Sequence, residues 1–93
     1  MENELVCYQI KVSGKVQGVW FRDSTLKKAQ ELGVNGFVKN ESDGSVYIEA
    51  EGSMDALNKF INWCHEGPAF AKVESVDVDE LELTYFEKFK VVW

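Results

Sequence analysis

The sequence has few of the residues that build metal centres and disulfide frameworks. Its 93 residues include one histidine, one proline and two cysteines. No cluster of histidine, cysteine and carboxylate has the spacing of metal ligands, so we expect no metal site. No apolar run approaches the ~18 residues of a membrane span, and no signal-like segment precedes the first apolar stretch. We therefore expect a cytoplasmic protein that makes no membrane contact.

Arginine is also scarce. Arg22 is the only arginine, whereas the chain has nine lysines. A guanidinium is a planar fork that can make two parallel hydrogen bonds to a phosphate, which an ammonium group cannot do. Arg22 is thus a candidate oxyanion ligand, with a surface arginine beside a structural turn as the alternative.

Basic charge is in short supply as well, and it is unevenly distributed. The net charge is −6, which argues against a general nucleic-acid binder. Residues 1–40 carry six basic and four acidic side chains, net +2, while residues 41–93 carry four and twelve, net −8. The basic half can attract an anion locally. The acidic half is equally consistent with solvated strand faces.

Hydrophobic residues make up 45 % of the chain, enough for a compact core, and the length suits one domain over residues 1–93. Periodicity predicts strands near 5–13, 34–41, 46–51, 72–83 and 86–93, and helices near 22–32 and 53–65. Gly33 is placed to end the first helix in a left-handed conformation, and Ser53 is placed to cap the start of the second helix. The order β-α-β-β-α-β predicts an α+β, ferredoxin-like fold, with one antiparallel sheet covered on one face by two helices.

Between the first strand and the first helix lies a loop that contains Gly14 and Gly18. The amides at a helix N-terminus lack intrahelical partners, and the glycines allow several amides to turn toward one point. The loop at 16–22 is therefore a candidate anion site. In a split β-α-β unit the end of the second strand is its neighbour, which places Asn40 beside it. A strand-end asparagine that prepares a turn is the alternative interpretation of Asn40.

The stretch at 14–22, GKVQGVWFR, is similar to the acylphosphatase signature G-x-V-Q-G-V-x-F-R. Further matches at 36–40, 43–46, 52, 60 and 67–68 extend the resemblance over nearly the whole chain. The resemblance implies that loop amides and Arg22 bind the substrate phosphate and that Asn40 positions the attacking water. The implied phosphate-binding residues are Val16, Gln17, Gly18, Val19, Trp20, Phe21 and Arg22.

The implied activity is the hydrolysis of a small-molecule acyl phosphate to a carboxylate and inorganic phosphate by direct attack of water. We expect no cofactor and no metal, phosphate or sulfate as competing anions, and a monomer. Glu41 stands where many relatives have a small hydroxyl residue, so we expect its carboxylate to point away from the phosphate.

An alternative interpretation is a noncatalytic ferredoxin-like module that binds an anion or single-stranded RNA. RNA-binding forms of this topology carry aromatic and basic residues on the open sheet face. Here Glu49 and Glu51 share that face with Tyr47, which disfavours RNA. The strand pattern also places Cys7 on the open face and Cys64 on the apolar stripe of the second helix, so we expect both thiols to be free.

Overall fold

The structure, a computed structural model, describes residues 4–93. In this range the elements follow the predicted order. The strands are β1 (Leu5–Lys15), β2 (Asn35–Asn40), β3 (Val46–Ser53), β4 (Lys72–Leu81) and β5 (Phe89–Val92). The helices are α1 (Phe21–Leu32) and α2 (Met54–Glu66).

The strands form one sheet in the order β4-β1-β3-β2-β5. The neighbouring strands β4, β1, β3 and β2 pair antiparallel. As a result β1 and β2 run in the same direction on either side of β3. The ferredoxin-like prediction is confirmed, with one correction: β5 pairs parallel with β2, so the sheet is mixed. Residues 82–88 pass from one edge strand to the other at a single end of the sheet. The chain therefore reverses direction after β4, and β5 runs the same way as β2.

Both helices cover the same face of the sheet, where they contact each other. Alternation along the strands turns apolar side chains toward the helices. These include Ile10, Val12, Val38, Ile48 and Ala50, which pack with Ala29, Leu57 and Phe60 from the helices, and all are fully buried. Burial of a large aliphatic or aromatic side chain contributes about 1.5–3 kcal/mol, so this layer holds the fold together.

The helix ends follow the predicted signals. Gly33 ends α1 in the left-handed region at φ 75°, where a residue without Cβ is unstrained. Ser53 caps α2, since its Oγ accepts the Ala56 N–H at 3.1 Å. His65 lies in the last turn of α2. Neither helix in residues 4–93 has the length and hydropathy of a membrane span.

The two cysteines are free and buried on opposite sides of the sheet, as predicted. Cys7 pairs with Glu51 of β3 on the face without helices, and Cys64 packs in the core under α2. Desolvation raises the pKa of Cys7 to about 11, with contributions from nearby carboxylates, and that of Cys64 to about 12. Both side chains therefore remain thiols at neutral pH and are poor nucleophiles.

Residues 82–88, the crossover from β4 to β5, cover one end of the sheet face that carries no helices. They bury an acidic residue there. Glu51 is only 3 % exposed. Its Oε2 accepts the N–H groups of Thr84 and Tyr85 at 2.8 and 3.1 Å, and its Oε1 accepts that of Phe86 at 2.7 Å. We call this arrangement, Glu51 with the amides of 84–86, the Glu51 nest. Because Phe86 donates to Glu51, strand pairing begins at Phe89 and not at residue 86 as predicted.

Candidate active site

The C-terminal ends of β1, β2 and β5 meet at the end of the sheet opposite the Glu51 nest. A pocket of about 250 Å³ opens there. Its lining comes from the loop after β1, the first turn of α1, the end of β2 and the end of the described chain. The lining residues are Val16, Gly18, Trp20, Phe21, Arg22, Asp23, Asn40 and Trp93.

The loop is shaped by residues in the left-handed region. Gly14 lies at a register shift between β1 and β4, where an added Cβ would come within 2.2 Å of the Lys72 carbonyl oxygen. Gly18 and Trp20, two residues apart, have φ values of 72° and 66°. Left-handed residues in a turn direct neighbouring N–H groups to one side and form an anion-binding concavity. We call residues 16–22 the open loop.

The N-terminus of α1 supplies further donors. Its N-cap residue, Trp20, makes no side-chain cap, and the first helical hydrogen bond joins the Ser24 N–H to the Trp20 carbonyl at 3.0 Å. The amides that precede this bond lack intrahelical partners, and the helix dipole adds positive potential at this end. An oxyanion is the ligand that such an end favours.

Arg22 lines the same pocket and has few protein partners. Its Nη1 donates to the Val92 carbonyl at a long 3.4 Å, and its Cζ lies 4.1 Å from the ring centroid of Trp93. None of the ion pairs found within residues 4–93 involves Arg22. Among the described residues Nη1 is the only Arg22 donor with a protein acceptor, so the other N–H groups of the guanidinium stay available for a ligand.

Asn40 is the last residue of β2 and faces the same pocket. Its Oδ1 is buried and has no hydrogen-bond partner among the described residues. A buried acceptor without a partner costs about 1–3 kcal/mol. A bound water or substrate group would remove that cost.

Two predicted loop residues do not line the pocket. Val19 is buried in the core. The Gln17 side chain turns toward the β2–β3 connection, where its Nε2 donates to the carbonyls of Glu41 and Ser45 at 2.7 and 2.8 Å. The backbone amides of Gln17 and Val19 remain predicted phosphate donors. Glu41 is not among the pocket-lining residues, which agrees with the prediction, and its carboxylate lies 3.7 Å from Lys39 Nζ.

The structure adds two pocket residues that the sequence pattern did not indicate. Trp93 reaches the pocket because β5 runs parallel to β2, so both strands end at the same edge. Parallel placement of the last strand beside β2 is the signal that would have found it. Asp23 follows Arg22 and is exposed at the pocket rim. Residues 4–93 contain no group of three or more potential metal ligands.

The fold and the pocket define a class, the ferredoxin-like α/β sandwiches with a glycine-containing strand–loop–helix site at one end of the sheet. The family model described as acylphosphatase matches residues 8–91. An acylphosphatase of Salinibacter ruber is 52 % identical over 82 residues, which are 87 % of this chain and 86 % of that protein. One of Acaryochloris marina is 45 % identical over 92 residues, 99 % of each chain.

A solved acylphosphatase structure from Coxiella burnetii superposes with a TM-score of 0.93 at 42 % identity, and covers 97 % of this chain and 94 % of that one. The chain therefore belongs to the acylphosphatase family. Members of this family are enzymes, and the hydrolysis of acyl phosphates is the activity that the family assigns to this protein.

Proposed function

We propose that the open loop and Arg22 hold the phosphoryl group of an acyl phosphate while Asn40 places the attacking water. The backbone amides of residues 16–22 donate to the phosphate oxygens, and Arg22 adds a bidentate charge-assisted contact. These donors neutralise the charge that the transition state spreads over the equatorial oxygens. The substrate is the small-molecule acyl phosphate that family membership implies.

The buried Oδ1 of Asn40 is the observation that carries this proposal. It is an acceptor without a partner among the described residues, in the same pocket as Arg22. A water that donates one hydrogen to Oδ1 is fixed in position and keeps a lone pair for attack on phosphorus. Such fixation replaces a bimolecular encounter with an oriented one.

The chemistry needs few catalytic groups. The water oxygen bonds to phosphorus, the bond between phosphorus and the acyl oxygen breaks, and the carboxylate leaves with the electron pair. Because a carboxylate is stable as an anion near neutral pH, no general acid has to protonate it. The proton of the water passes to an oxygen of the transferred phosphate. In this mechanism no metal and no phosphoenzyme takes part.

Several companion features belong to the same proposal. We propose that the enzyme works as a cytoplasmic monomer, and the two free thiols support a reducing compartment. We also propose that it binds neither nucleic acid nor membranes, in keeping with its net charge of −6. Inorganic phosphate and sulfate should occupy the open loop in competition with the substrate.

Hydrolysis of benzoyl phosphate by the purified protein, measured before and after exhaustive chelation, tests the proposal. We expect chelation to leave the activity unchanged and inorganic phosphate to inhibit competitively. Activity that returned only with a divalent cation, or purely noncompetitive inhibition, would reject the mechanism. Retardation of an RNA probe at physiological salt, without hydrolysis, would favour the noncatalytic binding module instead.

A further inference from the structure

Two tryptophans at the rim of the pocket take no part in the mechanism above through their rings. Trp20 and Trp93 both line the pocket, and they are 72 % and 84 % exposed. An indole buries a large apolar area when it is covered, and here both rings leave most of that area in water. Folding of the chain therefore gains little from either ring.

The left-handed backbone conformation of Trp20 is a further reason why the stability of the fold does not explain a tryptophan at this position. A left-handed conformation costs an L-residue about 1–2 kcal/mol, and glycine or asparagine adopts it more easily. At the N-cap position a side chain can also accept a helix amide, but Trp20 makes no such cap. Trp20 is strained, exposed and of no use as a cap, and it also lines the pocket, so the four observations together indicate a role in the site.

Trp93 provides a second, independent observation in favour of an aromatic surface in the site. Its ring covers the Cζ of Arg22 at 4.1 Å, so an exposed aromatic surface lies beside the group that we assign to the phosphate. Both rings line the pocket that also contains Arg22 and Asn40, so an acyl group attached to a bound phosphate would lie near them.

We propose that Trp20 and Trp93 form a subsite for the acyl group and that it favours aromatic acyl phosphates over small ones such as acetyl phosphate. This inference rests on the proposed hydrolysis of acyl phosphates. The acyl group is the part of the substrate that the loop amides and the guanidinium do not recognise, and in benzoyl phosphate it carries a flat apolar ring. Stacking between aromatic rings adds about 0.5–1.5 kcal/mol beyond area burial.

The test is the ratio of kcat/KM for benzoyl phosphate to kcat/KM for acetyl phosphate. We expect Trp20→Ala and Trp93→Ala each to lower this ratio about five- to tenfold, and Trp20→Phe to retain most of it. Tyr85→Ala is a matched control. Tyr85 is also aromatic, left-handed at φ 63° and 68 % exposed, but it lies at the other end of the sheet.

A measurement on the unmodified protein avoids any effect of substitution on folding. At a pH where both are dianions, phenylphosphonate should inhibit the enzyme more strongly than methylphosphonate. Equal inhibition, or variants that lose activity on both substrates in equal proportion, would overturn the subsite while leaving the proposed hydrolysis intact. If the unmodified protein hydrolysed neither acyl phosphate, the proposed function would fail and this inference would fail with it.

Discussion

The two ends of the sheet carry similar backbone concavities that serve different purposes. In the Glu51 nest, three successive amides of 84–86 converge on a carboxylate, and Tyr85 among them is left-handed at φ 63°. In the open loop, Trp20 is left-handed at φ 66° and precedes the unpaired amides of the α1 N-terminus. Both are backbone concavities of the kind that binds anions.

The difference is the source of the anion. At one end the protein supplies its own oxyanion, and Glu51 is satisfied and 3 % exposed. At the other end Arg22 has only a long bond to Val92 and the ring of Trp93, and the Oδ1 of Asn40 has no partner among the described residues. We infer that the first concavity holds the fold together and that the second is kept open for a substrate phosphate.

The largest effect should come from Asn40→Ala. The change removes the group that we assign to the water, so kcat should fall ~10²-fold or more, which corresponds to roughly 3 kcal/mol of transition-state stabilisation. The affinity for inorganic phosphate should change little, because phosphate is held by the open loop and Arg22. Steady-state kinetics and calorimetric titration measure the two quantities. A folded variant with near-normal turnover would remove Asn40 from the mechanism.

Substitution in the Glu51 nest should lower the stability of the fold and leave phosphate binding at the open loop unchanged. Glu51→Gln replaces one carboxylate oxygen with an amide donor that faces backbone donors. Hydrogen bonds to charged groups contribute about 1.5–3 kcal/mol, so we expect the free energy of unfolding to fall by about 2–3 kcal/mol.

Denaturant unfolding measures this loss, and phosphate affinity under folding conditions should be unchanged. The exposed Glu80 offers a control, since Glu80→Gln should unfold like the parent protein. If Glu51→Gln lost phosphate affinity while remaining folded, the two ends would not be independent.

A smaller effect is expected at Gln17, whose side chain ties the open loop to the β2–β3 connection just after Asn40. Gln17→Ala removes two hydrogen bonds of 2.7 and 2.8 Å, each of which contributes about 1 kcal/mol. We expect kcat/KM to fall about tenfold because the loop and Asn40 are held less firmly in register. The exposed Gln30 provides the control Gln30→Ala, and equal kinetics for the two variants would argue against a positioning role.

The smallest effect is a pH dependence at the β2–β3 turn. Lys11 and Ser45 hydrogen-bond Asp43 and lower its pKa from the usual 3.8. Because the folded-state pKa is the lower one, the stabilisation is present above about pH 4 and is lost as the pH falls further. The difference in melting temperature between the parent and Asp43→Asn should therefore shrink between neutral and acidic pH. A difference that stayed constant would show that Asp43 contributes nothing through its charge.

Helix-capping rules and strand topology together predicted that Arg22 and Asn40 lie close together. The glycine after α1 and the serine before α2 marked helix ends through well-defined caps. The split β-α-β order then required the loop after β1 and the end of β2 to be neighbours, and the structure places Arg22 and Asn40 in one pocket. That inference needed only strand order and direction.

What the sequence did not predict depends on contacts distant along the chain. Alternation along β3 placed Glu51 on the open face, but it carries no information about the crossover that buries it. Trp93 was missed because the neighbour of β5 is not encoded in the local pattern of residues 89–92. The side-chain direction of Gln17 likewise depends on carbonyls that lie 24 and 28 residues away.

The most direct test of the contrast between the open loop and the Glu51 nest is a titration of the isotope-labelled protein with inorganic phosphate. The backbone amide resonances are monitored by NMR during the titration. We expect saturable shifts of the amides in the open loop and little change at residues 84–86, where Glu51 already occupies the donors. In Arg22→Lys, whose ammonium cannot reproduce the planar fork, the same amides should saturate only at higher phosphate concentration. Phosphate shifts that were absent from residues 16–22, or equally large at 84–86, would contradict the account.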